Sequence, residues 1–218
     1  MTNQQIIQET KKYVEKKFKN EGSGHDWWHM YRVWKLSKHI ATTELGVDTF
    51  VVELGALLHD IADWKFHDGD TEAGPKAARE WLKSLDVQEN TILRVEDIVR
   101  NVSFKGAKVK QNMKSKEGQI VSDADKLDAI GAIGIARTFA YGGAHDSPMY
   151  DPEIKPVQHK SFEEYKNSET HTINHFYEKL LLLKDKLYTK TAKEIAQHRH
   201  EFMEQYLDEF YKEWEGEL

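Results

Sequence analysis

The chain has 218 residues, 39% of them apolar, 31% charged and 11% aromatic. That is one domain's worth of sequence, long enough to bury a core without staples, too polar for a membrane-spanning bundle and too aromatic for a disordered chain. The 31 basic side chains fall short of the 37 acidic ones, giving a net charge of -6, which argues against binding a nucleic-acid polymer through a basic surface. The absence of cysteine excludes disulfides, thiolate metal sites and a cysteine nucleophile.

The N-terminus, MTNQQIIQETKKYVEKK, carries no apolar signal core, so the expected location is the cytoplasm, with no membrane partner. Ile6, Ile7, Val14 and Phe18 recur at helical spacing, and Gly22 and Gly24 break that segment. A second helix is predicted from about Asp26 to Glu44 and a third from about Thr49 to Ile61, the latter apolar on more than one side and therefore buried. A His-, Asp- and Gly-rich loop over 66–70 follows, then helices ending near Leu85 and spanning about Gln88 to Val102. The lysine-rich stretch FKGAKVKQNMKSKEG reads as a loop. One helix is expected from Ile120 to Thr138, a loop from Gly142 to Pro156, a helix from about Thr170 to Lys184 and a long last helix from about Thr189 to Trp214. No segment alternates like a strand, so the class is all-α, a single domain over 1–218. The long terminal helix offers a surface for a homodimer.

Four histidines stand directly before aspartate: His25-Asp26, His59-Asp60, His67-Asp68 and His145-Asp146. Only His59-Asp60 ends an apolar run, VVELGALLHDIAD. An imidazole and a carboxylate buried together cost free energy unless both are satisfied, and a divalent cation satisfies both. Adjacent helical residues point about 100° apart, so the pair can converge on one ion only from a helix end, with other helices completing the shell. His29, in GHDWWHMYRVW, and Asp125, in VSDADKLDAIG, are the candidates to complete it. His198 and His200, in a charged helix, read as surface residues.

His29 within HMYRV, His59-Asp60 within LLHDIAD and Asp125 within DADKLDA resemble the H…HD…D signature of the HD-domain superfamily of metal-dependent phosphohydrolases. The resemblance spans Asp26 to about Arg137. VSFKG, IARTFAYGG and QHRHEFMEQYLDEF are similar to a small bacterial subgroup that resembles nucleotide pyrophosphohydrolases. The resemblance implies an HD helical bundle over about 26–137 with additional C-terminal helices over about 157–218. It implies one divalent cation (manganese first, with iron, cobalt, nickel or zinc as alternatives) held by His29, His59, Asp60 and Asp125.

Asp123 competes with Asp125, but the family's aspartate precedes a basic and then a large apolar residue, as in Asp125-Lys126-Leu127. Ser122 or Asp123 would then N-cap the helix that follows. Asp63, four residues after His59, is the expected catalytic residue, positioning water or taking its proton. Arg32, Lys126 and Lys105 are expected to neutralise phosphate oxygens, and Trp27, Trp28 and Tyr31 offer a surface on which a base could stack. His25 and His67 leave a second metal open, and the GYP tripeptide of cyclic-dinucleotide HD phosphodiesterases is absent. The expected reaction is hydrolysis of a nucleoside triphosphate to the monophosphate and pyrophosphate. A 5'-nucleotidase, a phosphodiesterase and a non-catalytic sensor of phosphorylated ligands are the alternatives.

Overall fold

The computed structural model describes residues 1–19, 26–62, 70–102, 113–157 and 170–217. These residues are all-α, with no strand among them. None of their helices is long and apolar enough to cross a membrane. They divide into two compact units, one over 1–125 and the other over 126–217.

The first unit opens with α1 (Asn3–Phe18), started by a capping box in which Thr2 and Gln5 satisfy each other's backbone N–H groups. α2 (Trp27–Ala41) is N-capped by Asp26, and α3 (Thr49–Leu58) by Asp48. α3 is the centre of this unit. Val51, Val52, Leu54, Ala56, Leu57 and Leu58 are completely buried, each large side chain contributing about 1.5–3 kcal/mol of transfer free energy. α1, α2 and α5 all pack against α3. Gly55 lets α5 approach closely: a β-carbon there would lie 3.0 Å from Ile98 Cδ1. α4 (Ala73–Ser84) and α5 (Glu89–Val102) form an antiparallel pair joined across their surface by Arg79 to Glu96 and Glu89. Trp81 stacks on Tyr13 at 3.9 Å and donates its indole N–H to Thr10, tying α4 to α1.

α6 (Lys116–Asp128) begins earlier than the sequence suggests. Its first turn lies inside the lysine-rich stretch, where the Ser115 hydroxyl accepts the Gly118 N–H at 3.2 Å and so starts the helix. Ser122 and Asp123 are therefore buried interior positions rather than N-caps, and Asp125 sits near the end of its helix rather than the start. Residues 104–112 of the lysine-rich stretch lie outside the described residues.

The single helix expected over 120–138 is two. Gly131, at φ +78°, reverses the chain after α6 and starts α7 (Gly131–Ala144). Its small residues serve that break as well as close packing. Arg137 donates to the Asp128 carboxylate at 2.7 Å and Arg199 to the Leu127 carbonyl, so two guanidiniums cover carbonyl-rich helix terminus.

The second unit continues with α8 (Thr172–Glu178), a 3₁₀ turn over Leu180–Lys186, and α9 (Lys190–Glu215), which Gly216 ends in the left-handed conformation. α7 packs on α8 and α9, with Phe176 fully buried between Phe139 and Tyr206. Ala192, Ala196, His200, Met203 and Leu207 form the buried stripe of α9. His200 thus corrects the surface reading, because it falls on the apolar period, while His198 is exposed. On α8, His175 is half-buried, and burial of its imidazole, with the Lys179 ammonium adding to it, lowers its pKa to about 3.

Candidate metal centre

Three helices of the first unit bring four side chains together. His29 lies in the first turn of α2. The Asp26 carboxylate that caps this helix accepts the His29 N–H at 2.8 Å, which fixes where the imidazole leaves the backbone. α3 stops at Leu58, so His59 is its C-cap and Asp60 stands in the turn beyond. This is the helix end that lets adjacent residues face one point. Asp125 enters from α6.

The distances are short. The two imidazole Nε2 atoms lie 3.2 Å apart. Asp60 Oδ2 is 3.6 Å from His29 Nε2 and 3.4 Å from His59 Nε2. Asp125 Oδ1 is 3.4 Å and 3.8 Å from the same two nitrogens. His29 and His59 are almost wholly buried, Asp60 is 8% exposed and Asp125 27%, so the group opens toward solvent beside Asp125.

His59 Nδ1 lies 2.8 Å from the Ala56 carbonyl. A carbonyl only accepts, so Nδ1 carries the proton and Nε2 turns its lone pair toward the other three groups. A backbone carbonyl behind the ring is the usual way of aiming an imidazole at a metal.

The donor set fits a divalent cation. Nitrogens each about 2.1 Å from one ion and about 100° apart at it would be separated by about 3.2 Å. Two imidazoles and two carboxylates suit a borderline transition metal and leave coordination positions open. His29, His59 and Asp125 each offer an atom within 4.8 Å of the others, the one such group of histidine and acidic side chains among the described residues. Asp123, fully buried on α6, is not part of it.

Arg32 lies one turn after His29 on α2 and is partly exposed. Lys126 is buried, with its ammonium 5.4 Å from the centroid of the Tyr188 ring. Trp28 is 59% exposed, its ring edge-on to Tyr31 at 5.9 Å, while Trp27 is buried. Asp63, Lys105, His25 and His67 lie outside the described residues. The sequence reading missed the positioning role of Asp26, although an aspartate directly before an apolar periodic run is an N-cap signal.

The HD-domain family profile matches residues 27–130, which contain all four converging side chains. Over 205 residues the chain is 36% identical to YpgQ of Bacillus subtilis (strain 168), covering 94% of this chain and 91% of YpgQ. This chain belongs to the HD-domain superfamily. The same membership appears in structure. An HD-superfamily hydrolase from Bacillus thuringiensis superposes with a TM-score of 0.77 at 42% identity, over 98% of this chain and 99% of that one. Bacillus subtilis YpgQ in complex with ADP superposes with a TM-score of 0.75 at 34% identity, over 95% and 97% of the two chains. In this HD domain the H…HD…D residues come from α2, the end of α3 and α6.

Proposed function

We propose that this protein is a metal-dependent phosphohydrolase that converts a nucleoside triphosphate to the monophosphate and pyrophosphate. The observation that carries the reading is a pair of imidazole nitrogens 3.2 Å apart, with one carboxylate oxygen of Asp60 and one of Asp125 each 3.4–3.8 Å from both nitrogens. The ADP complex of YpgQ supports a nucleotide as the ligand class.

His29, His59, Asp60 and Asp125 would hold the cation, manganese being the first choice. A divalent cation there supplies Lewis acidity, drawing charge from a phosphoryl oxygen. The Ala56 carbonyl holds the His59 ring in the tautomer that leaves Nε2 free to ligate. Asp63 takes a proton from the attacking water as its oxygen bonds to the α-phosphorus. The bond from that phosphorus to the bridging oxygen breaks, and pyrophosphate leaves. Arg32, Lys126 and Lys105 neutralise phosphate oxygens, and Trp28 offers a face to the base.

The test is a panel of nucleoside mono-, di- and triphosphates with manganese, cobalt, magnesium and nickel, assayed for phosphate, pyrophosphate and nucleoside. Pyrophosphate with nucleoside monophosphate is the expected product pair. Turnover of monophosphates alone overturns the proposal in favour of a 5'-nucleotidase.

A further inference from the structure

The ligand-bearing ends of α3 and α6 meet at the cation site, and their opposite ends meet as well. Asp48, the N-cap of α3, accepts the Phe50 and Val51 N–H groups through Oδ1. Its other oxygen, Oδ2, accepts Nη1 of Arg94 at 2.8 Å. Arg94 Nη2 reaches Glu117 Oε1, in the first turn of α6, also at 2.8 Å. Glu117 Oε1 in turn accepts the Asp48 backbone N–H at 3.0 Å. Lys116 adds a bond to the Leu45 carbonyl at 2.9 Å, just before α3. One guanidinium on α5 thus pins two helix starts together through a planar fork that a single ammonium cannot reproduce.

Each helix leads from this anchor to a ligand of the site, α3 to His59 and α6 to Asp125. At 1.5 Å per residue, Asp48 to His59 spans about 16 Å and Glu117 to Asp125 about 12 Å. A helix is stiff along its axis, so the anchor sets how far Asp125 advances relative to His59. Without Arg94, the carboxylates of Asp48 and Glu117 would face each other unscreened, and their repulsion would part the two starts.

We propose that Arg94 is a positioning residue for the cation site, holding α6 in register with α3 so that Asp125 reaches the two imidazoles. This rests on the metal reading of the site. The sign of the effect separates register from charge. Deleting a positive side chain elsewhere in the unit would, by charge alone, slightly strengthen cation binding, whereas a slipped register weakens it.

The experiment is calorimetric titration of the purified full-length chain with manganese, well below its unfolding temperature. Arg94→Met is expected to raise Kd about fivefold or more. Arg94→Lys keeps the charge without the fork, is the milder variant should Arg94→Met not fold, and is expected to raise Kd by a smaller factor above twofold. Arg79→Met removes the α4–α5 ion pairs, which touch no ligand-bearing helix, and is expected to leave Kd within twofold. Arg94 variants that bind within twofold of wild type, or an Arg79 variant that weakens binding as much, overturn the proposal. A folded wild-type chain that binds no cation overturns the site itself, and the wild-type trace makes that failure distinct.

Discussion

His59 owes its aim to a carbonyl three residues earlier, and His29 to a carboxylate three residues earlier. Each candidate ligand therefore depends on local backbone chemistry as much as on its own identity. Replacing His59 or Asp125 by alanine is expected to weaken cation binding by more than about 100-fold, beyond the range of outer-shell changes, with hydrolysis falling in parallel. Metal content of the reconstituted variants, read by mass spectrometry, checks this. Asp26→Ala is expected to cost about 1 kcal/mol of stability and to weaken cation binding, while Asp26→Asn, which still caps, recovers most of both. Thermal unfolding and titration calorimetry measure the two effects separately. The residue types of the four-group cluster were legible in the sequence, because a buried His-Asp pair at the end of an apolar run demands partners. Arg94 was not, since its contacts lie 46 and 23 residues away and no periodicity links them.

The helices themselves were readable wherever apolar residues kept a steady period, as in α2, α3 and α5. The reading failed at α6 for two physical reasons. The lysines and glutamate of its first turn look like solvated loop, and only Ser115 betrays the start. Its end is set by one backbone angle at Gly131, which no pattern of hydrophobicity encodes. A β-carbon at Gly131 would lie 2.9 Å from Arg199 Cγ, in addition to facing the left-handed penalty. Gly131→Ala is expected to cost at least about 1 kcal/mol. Urea unfolding of the variant against wild type measures it.

For the molecule as a whole, acid sensitivity has an identifiable contributor in the second unit. His175 titrates in the folded state near 3, well below the ordinary histidine value, because burial disfavours its charged form and Lys179 repels it. Below about pH 6.5 the unfolded chain binds a proton that the folded chain refuses, so His175 subtracts stability as pH falls toward its folded value. The penalty vanishes above that window and grows by at most about 1.4 kcal/mol per pH unit within it. His175→Leu is expected to flatten the dependence of the urea midpoint on pH between about 6 and 4. An unchanged slope would remove His175 from the account. Because α3 ends at Leu58 with His59 as its C-cap, the Ala56 oxygen in its last turn steers a side chain. Engineering that prolongs this segment with strong helix formers, a common route to heat resistance, would raise the melting point and disarm the protein together.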